Sequence, residues 1–102
     1  MTFNDFIYAG EKATKKKNKI IKKLQKQKFL VNTYVVALPA NEENLLDIYS
    51  AKMLLQPHYK DMPIHVVGVA QGYDEALELV RDIVDEVYTK TGSFKVSEFL
   101  KQ

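Results

Sequence analysis

Two short segments limit what this chain can become. Leu30–Leu38 and Ile64–Ala70 are apolar at both odd and even positions. In the first, Val31, Thr33, Tyr34, Val35, Val36 and Leu38 are β-branched, aromatic or aliphatic whichever parity is taken. Side chains of a strand alternate between two faces, so such a segment is buried only when a layer lies on each side of it. Pro39 ends the first segment, because proline has no N–H to give to a ladder, and Pro63 opens the second. These are strands of an α/β fold with helices packed on the sheet.

Three stretches have the helical pattern. Residues 11–29 are rich in Lys, Gln, Glu and Ala, which are good helix formers. Their apolar stripe is thin (Ala13, Ile20, Ile21, Leu24), so this Lys-rich helix is expected to project, fray or dock along one narrow seam. Asn41 reads as an N-cap with Glu42 and Glu43 in the first turn, and the helix runs through Leu45, Leu46, Ile48, Tyr49, Met53 and Leu54 to stop near Leu55 or Gln56, because Pro57 cannot sit inside it. Residues 73–90 show the clearest period: Tyr73, Ala76, Leu77, Val80, Ile83, Val84, Val87 and Tyr88 recur at helical spacing, and acids fill the rest. Gly92 suits the position just past a helix end, and Ser97 suits the cap of a last short turn. Phe3, Phe6 and Ile7 fit a turn and a half of helix at the start.

The expected order is α-β-α-β-α in one small domain spanning 1–102, with two central strands made parallel by a right-handed helical crossover. Two strands make a poor sheet, and apolar edges are a liability unless covered. Phe94–Val96 is the remaining candidate for a third strand. A homodimer, or another homo-oligomer, is therefore expected to complete the sheet or core. The chain has no cysteine, which removes disulfides, thiolate zinc sites and cysteine nucleophiles. No apolar run approaches the roughly 20 residues that span a bilayer. The first ten residues carry an acid and no basic region, so the expected location is cytoplasmic.

A formal net charge of only +2 hides a strong segregation of charge. Nine lysines lie between Lys12 and Lys28 with no acid among them, and Asp74, Glu75, Glu78, Asp82, Asp85 and Glu86 are relieved only by Arg81. Lys15, Lys16, Lys19, Lys22, Lys23 and Lys26 could neutralise the phosphates of a nucleic acid. The run lacks arginine, and it has no aromatic residue before Phe29, so base contacts and stacking are poorly served. An anionic membrane surface is the related possibility, weakened by a small apolar face without tryptophan. A solvated face, or one paired with an acidic protein face, is the plainer reading.

The other candidates for chemistry are thin. Gly68–Gly72 matches neither the dinucleotide fingerprint nor the P-loop, and Asp74 and Glu75 would repel a phosphate there. The plainer reading gives Gly68 to close packing, Gly72 to the helix start and Glu75 to a partial capping box. His58, Asp61 and His65 could serve an enzyme, but two histidines without cysteine are too few for a catalytic zinc. The acids of 73–90 lie along a helix, where calcium ligands are not usually gathered. The expectation is a non-catalytic, homo-oligomeric interaction or assembly module with no cofactor and no metal. A nucleic-acid-binding accessory protein using the lysine run is the alternative, and an enzyme using His58 or His65 comes last.

Overall fold

A computed structural model describes residues 1–41 and 43–100. It is a mixed α/β fold built on four strands: β1 (Thr2–Ala9), β2 (Thr33–Ala37), β3 (Asp47–Ser50) and β4 (His65–Gln71). Their order in the sheet is β1-β4-β2-β3. Three helices accompany them: α1 (Lys17–Gln25), α2 (Tyr73–Thr91) and α3 (Val96–Leu100). Short 3-10 turns occupy Thr14–Lys16, Met53–Leu55 and Pro57–Tyr59.

The two doubly apolar segments are the two inner strands, and each is sheltered on both faces within one chain. Val35, Ala37, Val66 and Val69 face α1 (through Ile20 and Leu24) and the turn carrying Leu54. Val36, Val67 and Ala70 face α2 and α3 through Ala76, Leu79, Ile83, Val87, Val96 and Leu100. Burying a valine side chain is worth about 1.5–3 kcal/mol, so this inner pair dominates the local energetics. β4 carries one extra residue against β2: Val36 pairs with Gly68, and Ala37 pairs with Val66. That bulge is why Val66 and Val69, three apart, reach the same face.

The architecture departs from the sequence expectation in several places. The sheet has four strands, so the two inner strands do not need a second molecule to pair their edges. The inner pair β2–β4 is antiparallel, and the parallel pair is β1–β4. In place of the expected crossover helix, residues 43–55 form a loop, β3 and one 3-10 turn. Asn41 accepts the Glu43 N–H at 3.0 Å, and Asp47 accepts the Ala40 N–H at 2.9 Å, so these side chains make turns and not a helix cap. Ile48 and Tyr49 then alternate between the two faces, while β3 pairs antiparallel with the outer edge of β2. The Glu42 part of that expectation lies outside the described residues.

Residues 2–9 form a strand and not a helical turn. Phe3 pairs with Val66 and Tyr8 with Gly68, so Asn4–Ile7 bow out against Val67 alone. The excursion buries Ile7 and leaves Phe6 exposed, which erases the alternation a strand usually shows. Phe94–Val96 adds no strand; α3 begins at Val96, and Ser97 lies inside it. The lysine helix is shorter than 11–29 and docks through Ile20 and Leu24. α2 agrees with its expected span, and Gly92 ends it with φ 72° and an N–H to Tyr88 O of 2.8 Å.

Glu75 ties three elements together. One carboxylate oxygen accepts the Lys12 N–H and the other accepts the Gln71 N–H, each at 2.5 Å. The side chain therefore joins the first turn of α2 to the end of β4 and to the loop after β1. Gly72 begins the helix at φ 101°, a conformation that L side chains rarely adopt. The Glu75→Ala variant should lose about 1–2 kcal/mol in urea unfolding, since two charge-assisted bonds disappear together.

Candidate interaction surface

Five of the six lysines singled out in the sequence, Lys16, Lys19, Lys22, Lys23 and Lys26, line one continuous surface on which Lys23 is half-buried, and Lys15 is exposed just before it. Lys15 and Lys16 lie in the 3-10 turn, Lys19, Lys22 and Lys23 on α1, and Lys26 caps its end. Ile20 and Leu24 point into the core, so Lys19, Lys22, Lys23 and Lys26 take the opposite side of the helix. None of the lysines from 12 to 28 lies within an ion pair among the described residues; the ion pairs there are Arg81–Asp82 and Lys90–Glu86. Lys17 instead places its Nζ 4.6 Å from the centre of the Phe6 ring.

This surface stands against local helix physics. No acid occupies the first turn of α1, where the positive helix end prefers one. Lys15, Lys19 and Lys23 follow one another at intervals of four, and each such like-charge pair costs about 0.2–0.5 kcal/mol. The far end is more favourable: Gln27 is left-handed at φ 55°, the Gln27 N–H reaches Leu24 O at 3.1 Å, and the Lys28 N–H reaches Lys23 O at 2.9 Å. That Schellman pattern folds the chain back beside the helix and brings Lys28 to the surface shared by Lys19, Lys22, Lys23 and Lys26. Beyond it, Phe29 and Val31 are 57% and 70% exposed.

The histidines do not converge with the lysines. His65 uses both ring nitrogens on β1: Nδ1 lies 2.7 Å from the Thr2 hydroxyl, and Nε2 lies 3.2 Å from Asn4 Oδ1. It clasps one strand to the next, through partners the sequence does not single out. His58 is exposed and packs edge-to-face on Tyr59. No group of three metal-ligating side chains is gathered among the described residues. The Gly68–Gly72 turn has its neighbouring N–H groups taken by Glu75, so an internal carboxylate sits where a phosphate would have to go. A pocket of about 280 Å³ beside Leu24, Leu54 and Tyr59 is lined by no carboxylate or histidine.

Displaced acidities also serve the fold. Burial, then the hydrogen bond to Glu86, raises the Tyr8 hydroxyl to about 12. The same bond, aided by Lys90, lowers the Glu86 carboxyl below its usual range against the opposing effect of burial. Burial and the nearby Asp47 carboxylate raise the Tyr49 hydroxyl. None of these shifts turns a group into an acid or base poised near neutrality.

A second surface is one that sequence periodicity hides. The apolar residues of α2 divide into two sets. Ala76, Leu79, Ile83 and Val87 are buried against the sheet. Tyr73, Leu77 and Tyr88 stay 52%, 47% and 50% exposed, with Val80 and Val84 half-buried between them. Phe94 stacks on Tyr88 with ring centres 4.7 Å apart and extends the patch, while Tyr34 meets Tyr73 edge-to-face. The available signal was the width of the apolar arc: a helix covering one sheet face needs a stripe of about 100°, and the apolar residues of 73–88 span considerably more.

No protein-family model, curated protein or solved structure matches the chain.

Tyr8 and Glu86 give a pH test with a definite sign. A tyrosine raised in the folded state contributes stability below pH 10 that is lost as pH climbs toward 12. A carboxylate lowered in the folded state contributes stability at neutral pH that is lost in acid. The Tyr8→Phe variant should be less stable by about 1 kcal/mol at pH 7. Urea midpoints against pH should show that gap closing at both extremes.

Proposed function

We propose that the chain is a non-catalytic interaction module that pairs with a second copy of itself through the exposed stripe of α2. The observation that carries this reading is the order of the stripe. Tyr73, Leu77, Val80, Val84 and Tyr88 run tyrosine, aliphatic, aliphatic, aliphatic, tyrosine, at intervals of three and four. A two-fold contact uses one surface on both partners, so the surface must complement its own reverse. Laid antiparallel, Tyr73 of one copy meets Tyr88 of the other, and Leu77 meets Val84. The three-and-four spacing is that of helices packed side by side.

Inner strands left uncovered no longer support this reading, because their shelter lies within one chain. The support comes from α2. The pairing helix is also acidic, with Asp74, Glu78, Asp82 and Asp85 exposed beside the stripe. Two such helices repel at low salt, so the pairing should tighten as salt rises. One helix stripe and Phe94 bury on the order of 1,000 Å² in total, at the low end for specific contacts, which implies a weak and reversible pair.

Sedimentation equilibrium tests the reading. The chain should associate with a dissociation constant on the order of 10 µM, more tightly at high than at low salt, and its mass should stop at two copies. Leu77→Glu should abolish pairing and leave the thermal midpoint within a few degrees, since Leu77 is half exposed. A strictly monomeric wild-type chain overturns the proposal. So does open-ended growth at low salt, which would mean the basic face of one copy stacking on the acidic face of the next.

A further inference from the structure

We propose that the groove between α1 and the start of β2 binds single-stranded nucleic acid without sequence preference. A hollow of about 420 Å³ lies there, lined by Lys16, Lys19, Lys23, Phe29, Val31 and Gln71 among others. It joins the lysine surface of Lys22, Lys26 and Lys28. Lys19, Lys23 and Lys26 follow one ridge of α1 and its cap, spanning about 10 Å at 1.5 Å per residue, and Lys16 extends the row from the preceding 3-10 turn, room for a short run of phosphates. Phe29 offers a free ring beside them: it is 57% exposed and makes no aromatic contact among the described residues. A positive groove with an exposed aromatic is the combination that tracks a backbone and stacks an unpaired base.

The wall of the groove is held in place. Gln71 donates from Nε2 to Val31 O at 2.9 Å and to Asn32 O at 3.0 Å. Asn32 is left-handed at φ 48°, and its carbonyl accepts the Gly72 N–H at 2.7 Å. Glu75 is the one acid of α2 that reaches this side, and its two oxygens are occupied by the Lys12 and Gln71 N–H groups. Repulsion from the outward acids of α2 is small here, because that helix covers the opposite face of the sheet. Two packed layers of 8–10 Å each separate the charges by on the order of 20 Å, beyond the Debye length of about 8 Å at physiological salt. Arg81, the single arginine, lies on that opposite side, so base-specific bidentate contacts are not provided. The charge and the ring together favour a single strand over a lipid surface, which would use the lysines and leave Phe29 with only shallow burial.

Fluorescence anisotropy of the full chain with a labelled oligothymidylate of about twelve nucleotides tests this. With about four phosphates neutralised, affinity should fall about 50-fold between 50 and 200 mM salt, opposite in sign to the salt effect on self-pairing. Lys19→Gln with Lys23→Gln should weaken binding and flatten that salt slope by about 1.4. Phe29→Ala should weaken binding about 10-fold and leave the slope unchanged. Lys19 and Phe29 are exposed, Lys23 is half-buried and none of the three belongs to the buried core, so circular dichroism of each variant should match the wild type. No binding at about 50 mM salt overturns the proposal. So does equal affinity for a duplex of the same length, indifference to Phe29→Ala, or capture by phosphatidylserine vesicles alone.

Discussion

The burial of β4 on both of its faces is the constraint from which the rest of this structure follows. Val66, Val67, Val69 and Ala70 are closed off from solvent entirely. No single layer can achieve that, so helices must lie on both sides of the sheet. β4 must also pair on both edges, because an unpaired backbone group in a dry interior costs as much as a lost hydrogen bond. β1 and β2 meet that demand, one parallel and one antiparallel. The bulge at Val67–Gly68 belongs to the same solution, since it turns two consecutive pairs of apolar residues onto the two layers that need them.

Placing a layer on each side of the sheet also separates the charges. α1 carries its lysines outward from one layer and α2 carries its acids outward from the other. Over the whole sequence the charges nearly cancel, to a net +2; in space the two blocks make two faces of opposite character. Each face combines charge with exposed apolar surface, Phe29 and Val31 on one and Tyr73, Leu77 and Tyr88 on the other. The proposed functions differ for that reason: one face suits a polyanion at low salt, and the other suits a second copy at higher salt.

Much of the fold was legible wherever one periodicity dominated. The inner strands declared themselves because neither parity was polar, and α2 because its apolar residues recur every three or four positions and Gly92 closes it. β3 was not legible: Leu45, Leu46, Ile48, Tyr49, Met53 and Leu54 satisfy a helical spacing as readily as an alternating one, and pairing with β2 selects the strand. β1 was hidden by its own irregularity, as Asn4–Ile7 bow away from the ladder and place Phe6 in solvent. The lysine surface was legible as composition. Its partnership with Phe29 was not, because the left-handed turn at Gln27 folds that ring back beside the helix.

The sequence by itself determined the class of fold, the position of the inner strands, the span of α2 and the segregation of charge, since each depends on residues near one another in the chain. Tertiary structure decided the number of strands, the antiparallel pairing of the inner two, the choice of β3 over a helix and the half-exposure of the α2 stripe. Those outcomes turn on which edge or face meets which partner across long stretches of chain. Local spacing limits such choices, but the free energy that selects among them comes from pairing and burial between distant segments.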